Sequence, residues 1–405
     1  MQSTVRLFDE DPYGSEFDAV VLQAERVDGN LHVILDRTFF YPESGGQPGD
    51  LGTLADLPVL SVTENKADGT IIHVVEGGLS EGREVRGVID RDRRFDHMQQ
   101  HSGQHILSAV FLKMLDAVTV GFHLSTDVST VDFLIKPPSA DGLAGAERAA
   151  NRVIYENRPV SVKTVTGTNA RTLPLRKPPP DEEIIRIVRI EGVDMTACCG
   201  THVRNAGEVG MIKILNCEKL RDGCRVTFVC GERALRDYAR KNALLQEAGR
   251  RLTVGENELL ARVDGLLDEQ KDAKQKIKSL RKRLLTYESD HLLNDAETVN
   301  GIRMVTGVFS DYTGKDLQQL ARRLCAGGSV VCLLGLESER GTVVVGKTPD
   351  LNVPIEPILK AASAVLNGRG GGSAGLAQTS GPDPAAVRPA LLACEETFRN
   401  MVKNS

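Results

Sequence analysis

The chain has 405 residues, of which 41% are hydrophobic and 26% charged, and this composition indicates a soluble protein of roughly two to four globular domains. A formal net charge of −5 argues against diffuse polycationic binding to nucleic acid, and an aromatic content of 4% argues against broad base-stacking platforms. The polar amino terminus lacks an apolar signal segment, and the longest apolar run, Ser329–Leu336, is far too short to cross a bilayer. Because the eight cysteines are scattered irregularly, we expect a reduced, cytoplasmic protein without a membrane span.

Residues 1–89 have the pattern of a small β-barrel. Short apolar segments recur between turns that are rich in Gly, Asn and Asp. These segments are Phe17–Ala24, Leu31–Leu35, Val59–Val62, Thr70–Val75 and Glu84–Ile89. The connection Thr38–Asp50 is unusually rich in Gly and Pro. It is either a tight barrel turn or a loop whose glycine N–H groups converge on one point.

Residues 90–232 are expected to form an α+β domain. A helix is predicted over Asp96–Leu115, with Ile106, Leu107, Val110 and Phe111 as its apolar stripe. The other predicted elements are a β-rich segment Val118–Ile135, a helix Ala144–Asn157, and strands Val160–Val165, Glu183–Ile190, Gly210–Cys217 and Cys224–Cys230.

Two short motifs in this domain could bind one metal. His101 and His105 are four residues apart in the predicted helix, which places both imidazoles on one face. Cys198 and His202 stand in a predicted turn around a glycine. Zinc favours imidazole and thiolate ligands, so the two motifs together predict a Zn²⁺ site if they meet in space.

The ligand set leaves two points open in the sequence. Cys199 could replace Cys198, since both precede His202 at short spacing. Four protein ligands would also close a tetrahedral zinc, which is typical of a structural site, whereas hydrolysis needs an open or expanded coordination. A zinc-protease mechanism is not expected, because the residue after His101 is not the glutamate that such enzymes use as a base.

Residues 233–295 are predicted to form a helical linker. Apolar residues recur there in alternating steps of four and three, at Leu259, Val263, Leu266, Ala273, Ile277, Leu280, Leu284 and Tyr287, with Gln270 as a polar member. This heptad seam could join a second copy in a homodimer, or close on its own chain as a hairpin. Residues 296–405 alternate strand and helix patterns around a glycine-rich segment, Gly368–Gly381, and predict an α/β domain with a flexible loop.

Four sequence blocks occur in order along nearly the whole chain: Thr38–Gly52, Arg93–His105, Cys198–Val203 and Gly368–Gly381. Together they resemble the alanyl-tRNA editing proteins of the AlaX family in their long form, and the editing domain of alanyl-tRNA synthetase. The carboxyl-terminal block resembles the DHHA1-type domain, although Ser373–Leu376 departs from the commoner pattern with an Asp and a Met. The absence of a DHH triplet argues against a phosphoesterase, and no adenylating domain is recognisable, so we expect no ATP-dependent aminoacylation.

The resemblance implies an aminoacyl-tRNA deacylase that hydrolyses the ester of wrongly charged tRNA(Ala), in particular Ser-tRNA(Ala) and also Gly-tRNA(Ala). It implies Zn²⁺ ligands at His101, His105, Cys198 and His202, and catalytic roles for Gln47, His101 and His105. Gly45, Gly46, Gln104 and Thr201 are assigned to substrate binding. The basic run Arg91, Arg93 and Arg94 is assigned to tRNA contact, with a surface network of Arg and Asp side chains as the alternative for each arginine. The alternative is a non-catalytic tRNA-binding module with a structural zinc.

Overall fold

The computed structural model describes residues 4–403, which fall into two compact units, residues 4–251 and 252–403. The β-barrel and the α+β domain predicted from the sequence lie together in the first unit. The predicted helical linker is divided between the units, near residue 252. Residues 1–3 and 404–405, the extreme ends of the predicted terminal domains, lie outside the described residues.

The first unit begins with a closed β-barrel. Its elements are β1 (Val5–Arg6), α1 (Leu7–Glu10), β2 (Glu16–Val27), β3 (Asn30–Leu35), β4 (Arg37–Thr38), β5 (Gly52–Leu54), β6 (Leu57–Asn65), β7 (Thr70–Val75) and β8 (Glu84–Ile89). The barrel order is β2-β3-β7-β6-β5-β8, and β1 pairs with β4 beside it. In β3, the buried residues Leu31, Val33 and Leu35 alternate with more exposed ones, so one face of the strand fills the interior.

Helix α2 (Arg91–Leu115) follows the barrel directly and is the central helix of the unit. It begins five residues before the predicted start at Asp96, because the Asp90 carboxylate accepts a hydrogen bond from the Arg93 N–H at 3.0 Å and caps the helix there. Every residue from His97 to Phe111 is buried. The predicted apolar stripe lies in the core, and the polar residues of this stretch must therefore find partners inside the protein.

Two small antiparallel sheets pack with α2 in the rest of the first unit. The remaining elements are β9 (Thr119–Leu124), β10 (Ser129–Phe133), α3 (Ala140–Tyr155), β11 (Val160–Thr166), α4 (Gly167–Ala170), β12 (Ile184–Ile190), β13 (Asp194–Ala197), β14 (Ile212–Leu220), β15 (Gly223–Cys230) and α5 (Gly231–Leu252). One sheet has the order β14-β15-β10-β9 and the other β11-β12-β13. Strand β13 was not predicted, and it leads directly into the turn that carries Cys198.

The second unit combines a long helix with a six-stranded mixed sheet of order β16-β17-β18-β19-β21-β20. Its elements are α6 (Leu259–Asn294), β16 (Glu297–Val299), β17 (Ile302–Phe309), α7 (Gly314–Leu324), β18 (Val330–Glu337), β19 (Gly341–Lys347), α8 (Glu356–Leu366), β20 (Arg369–Gly372), β21 (Leu376–Gly381) and α9 (Val387–Lys403). The expectation that the glycine-rich segment Gly368–Gly381 is a flexible loop is wrong, because most of this segment forms β20 and β21. A Cβ at Gly370 would lie 2.1 Å from the Gln378 carbonyl oxygen, so glycine permits this close strand pairing.

The heptad seam lies on α6 and is largely exposed in the single chain. Ile277, Leu280 and Tyr287 are 53%, 51% and 69% exposed, whereas the neighbouring Leu285 is buried against the second unit's own core. The helix therefore packs through a different face from the seam, and the homodimer stays a prediction. Within residues 4–403, no helix combines the length and hydropathy that a membrane span requires.

Candidate metal centre and active site

Four side chains from two distant segments converge beside α2. His101 and His105 come from the helix, and Cys198 and His202 from the turn that follows β13. One ligand atom from each residue lies within 4.8 Å of the others, and the three histidines are buried. The Cys198 Sγ atom lies 3.4 Å from His101 Nε2 and 3.3 Å from His202 Nε2. The two sequence motifs thus meet in a cluster that could hold a metal ion.

Gln47 holds the first histidine from the barrel side. The His101 Nδ1–H donates to Gln47 Oε1 at 2.8 Å, which leaves Nε2 directed at the cluster. The Gln47 amide also bonds Thr201, donating to its Oγ1 at 2.9 Å and accepting from its N–H at 3.2 Å. Gln47 and Thr201 are both buried. Gln47, predicted to be catalytic, therefore orients His101, while Thr201, predicted to bind substrate, holds the Gln47 amide in place.

Asp194 holds the second histidine. The His105 Nδ1–H donates to Asp194 Oδ2 at 3.1 Å, and Arg176 donates to both carboxylate oxygens, at 2.7 and 3.3 Å. The arginine is 9% exposed and the aspartate 1%, so the pair is shielded from water. Neither residue was predicted. For Asp194 the sequence signal is its proximity to the CCGTH motif, Cys198–His202. For Arg176 the sequence offers no signal.

Ser102 holds the third histidine. His202 Nδ1 lies 3.1 Å from Ser102 Oγ, which also accepts the Val203 N–H at 3.2 Å. Each imidazole is therefore fixed at Nδ1 by a different side chain, and each Nε2 is left for the cluster. Such partners set the ring orientation and tautomer of metal-binding histidines.

The electrostatics of the cluster favour a thiolate. Burial raises the pKa of the Cys198 thiol, but His101 and His202 outweigh burial and hold it well below its ordinary range. Burial lowers the pKa of His202 to about 3. Burial also lowers the pKa of His105, yet the Asp194 and Cys198 interactions prevail and raise it to about 9.

Cys199 does not join the cluster. It is exposed, and it does not belong to the group of residues whose ligand atoms converge. The structure therefore favours Cys198 over Cys199 as the sulfur ligand, a choice that spacing alone left open.

The glycine pair before Gln47 forms a tight turn against β9. Gly45 and Gly46 have φ of 58° and 84°, a region that favours glycine, and the turn is closed by hydrogen bonds between Ser44 and Gln47. A Cβ at Gly46 would lie 2.5 Å from the Phe122 carbonyl oxygen. Among the described residues, no protein acceptor meets the N–H of Gly45 or Gly46.

A cavity of about 400 Å³ opens beside the cluster. Its lining includes His101, Gln104, His105, Cys198, Gly45, Thr119, Phe122, Arg176 and Lys177. On one wall, Gln104 donates to Ser108 Oγ at 2.6 Å and Thr119 donates to the same oxygen at 2.8 Å. Gln104 thus lines the cavity, and its role in substrate binding stays a prediction. Thr119 and Phe122 were not foreseen, because single residues of a short strand carry no motif.

The three arginines predicted to contact tRNA differ in their surroundings. Arg94 is buried, forms an ion pair with Asp50, and donates to the carbonyls of Pro12 at 2.8 Å and Phe39 at 2.6 Å. Its guanidinium is fully engaged inside the protein, so its assignment to tRNA contact is wrong. Arg91 is exposed and Arg93 half-buried, and for these two the assignment stays a prediction.

Comparisons with known proteins find domains of aminoacyl-tRNA synthetases and an alanyl-tRNA editing protein. The family model "Threonyl and Alanyl tRNA synthetase second additional domain" matches residues 185–225, and "tRNA synthetases class II (A)" matches residues 13–93. The alanyl-tRNA editing protein AlaX-L of Pyrococcus horikoshii is 32% identical, over 92% of this chain and 93% of that protein.

Alanine–tRNA ligases are also similar over most of the chain. The ligase of Pyrococcus abyssi is 32% identical over 96% of this chain, and that of Archaeoglobus fulgidus 35% identical over 93%. The chain spans only 43% and 42% of these two ligases. Among solved structures, the C-Ala domain of Aquifex aeolicus alanyl-tRNA synthetase matches 26% of this chain and 97% of that chain, at 25% identity and a TM-score of 0.24.

Proposed function

The chain belongs to the alanyl-tRNA editing protein family AlaX, and on that premise we propose that it is a trans-acting deacylase of mischarged tRNA(Ala). Its proposed substrates are Ser-tRNA(Ala) first and Gly-tRNA(Ala) second. The reaction is hydrolysis of the ester between the amino acid and the terminal ribose. A second hydrolytic site of this kind corrects errors between small amino acids that a synthetic site discriminates poorly.

The observation that carries the proposal is the set of three histidines, each fixed at Nδ1 and directed with Cys198 toward one point beside a cavity. Three imidazoles and a thiol of lowered pKa are a ligand set that suits Zn²⁺. We therefore propose His101, His105, Cys198 and His202 as its ligands. When bound there, Zn²⁺ supplies positive charge beside the ester, either as a Lewis acid at an open position or as an orienting charge.

The protein's own groups supply orientation. The N–H groups of Gly45 and Gly46 are unpartnered among the described residues and are proposed to donate to the ester or to the developing oxyanion. Gln104 and Thr119 also line the cavity, where both donate to Ser108 Oγ, and they are proposed to contact the amino acid side chain. Because an aminoacyl ester is already activated, a positioned water and a few oriented donors suffice for hydrolysis.

The test is hydrolysis of Ser-tRNA(Ala) and Gly-tRNA(Ala) by the purified full chain, compared with correctly charged Ala-tRNA(Ala). We expect turnover of the mischarged substrates and its collapse in His101→Ala. His32→Ala is the matched control, because His32 lies on β3 and does not line the cavity. Tight tRNA binding without any turnover by the zinc-loaded wild type would instead favour the non-catalytic binding module.

A further inference from the structure

A proline-rich segment without regular structure forms part of the cavity rim. Between α4 and β12, Arg176, Lys177 and Pro180 line the same cavity as His101 and Cys198. The segment is held in place there, because the Arg176 N–H donates to the Met195 carbonyl at 2.8 Å and its side chain binds Asp194. Lys177, the next residue, therefore lines the cavity on a segment whose backbone is anchored at Arg176.

The cations on this rim differ in whether they are already neutralised. Arg176 is paired with Asp194. Arg186 donates to the carbonyls of Cys198 at 2.9 Å and Gly200 at 2.8 Å, and lies 3.3 Å from Asp9. Lys177 has neither an ion pair nor a hydrogen bond with any other described residue.

Lys177 also lies in surroundings that disfavour an unpaired cation. Its side chain is half-buried, and burial, followed by repulsion from the adjacent Arg176, lowers the pKa of its ammonium group. The carboxylate that lines the cavity beside it, Glu182, is exposed and does not pair with it. An anionic ligand that enters the cavity would relieve this repulsion and complete the missing ion pair.

We propose that Lys177 binds the phosphate on the 5′ side of the terminal ribose, the ribose whose hydroxyl carries the amino acid. This inference rests on the proposed function, because it names the substrate group that the rim receives when the ester lies at the cluster. In an aminoacyl-tRNA this phosphate is the anion nearest the ester in the chain, so it must lie close to the cavity mouth. A lysine is suited to the task, since its ammonium group acts as a compact point charge for phosphate.

The test compares two small esters that differ only in this phosphate. The probes are 3′-O-seryl-adenosine 5′-monophosphate and 3′-O-seryl-adenosine, with their non-hydrolysable 3′-amide analogues for binding measurements. We expect Lys177→Ala to raise KM for the phosphorylated ester, and to weaken binding of its amide, by about tenfold, the usual cost of one charged hydrogen bond. Its kcat and its activity on the unphosphorylated ester should be unchanged.

Two further variants sharpen the result. Lys177→Arg should retain most of the affinity because it keeps the charge, and Lys163→Ala should change nothing, since Lys163 is exposed on β11 and does not line the cavity. An equal loss on both esters, or unchanged binding of the phosphorylated amide by Lys177→Ala, would overturn the assignment. If the wild type failed to hydrolyse Ser-tRNA(Ala) and Gly-tRNA(Ala), the proposed deacylase activity would be refuted instead. That result is separate from the comparison of the two amides in binding.

Discussion

The role of Gln47 can be tested by truncating its side chain to alanine. The amide is buried and makes three hydrogen bonds, one to His101 Nδ1 and two to Thr201. Gln47→Ala leaves the His101 Nδ1–H and the Thr201 N–H without acceptors, and each buried unpaired group costs about 1–3 kcal/mol before water relieves part of it. We expect the first unit to lose roughly 2–4 kcal/mol of stability on this basis.

The effect on zinc should be separable from the effect on stability. Without its Nδ1 partner, the His101 ring is free to rotate and to exchange tautomers, and loss of such a partner weakens metal binding by about 10- to 100-fold. The assay is titration of the purified variant with a zinc chelator of known affinity. Thermal unfolding is measured in parallel on the metal-free protein.

Gln104→Ala is the matched control for this experiment. It removes the same amide from another buried position, on helix α2, but that amide bonds Ser108 rather than a proposed ligand. We expect its zinc affinity to equal that of the wild type. If Gln47→Ala also bound zinc with wild-type affinity, the orienting role of Gln47 would be refuted, whatever the change in its unfolding temperature.

Three other predictions concern the same unit. Cys198→Ser should abolish tight zinc binding while Cys199→Ser retains it, as measured by metal content after dialysis; the opposite result would reverse the ligand assignment. Arg94→Met should lower the free energy of unfolding in urea by about 3–5 kcal/mol, because Asp50 is left buried and uncompensated, whereas Arg225→Met, which breaks an exposed pair, should cost less than about 1 kcal/mol. Burial lowers the pKa of His73 to about 4, below its unfolded value, so the unfolded chain takes up the proton first as pH falls from 6.5. The free energy of unfolding of the metal-free wild type, measured in urea, should therefore decline by about 3 kcal/mol more than that of His73→Gln between pH 6.5 and 4. An equal decline in the two proteins would contradict this.

The sequence predicted the convergence of the two metal-ligand motifs because their chemistry is local. The spacing of His101 and His105 on one helix face and the short interval between Cys198 and His202 each define half of a site. Helix α2 was recognised for the same reason. Its true start was missed although Asp90 carries a usual capping side chain, because the preceding strand end obscured the boundary.

Residues that act across elements could not be predicted in the same way. Asp194 reaches His105 only after β13 pairs with β12, and Arg176 reaches Asp194 from a segment without regular structure. For Arg94 the error was the opposite one, because a tRNA contact was predicted for a side chain that is buried in an ion pair. A run of arginines looks the same in the sequence whether it is exposed or buried. The burial of Arg94 depends on Asp50, which lies 44 positions earlier in the chain.

The interval between the two ligand pairs also bears on how the first unit folds. His101 and Cys198 are 97 positions apart, and much of the α+β domain lies between them. A metal ion bound to both would act as a crosslink that closes this long loop, and crosslinks across long loops restrict the unfolded chain the most. Bound zinc should therefore make opening of the chain between the two motifs less favourable, so that amide hydrogen exchange there reports metal occupancy even where the amides lie far from the ligands.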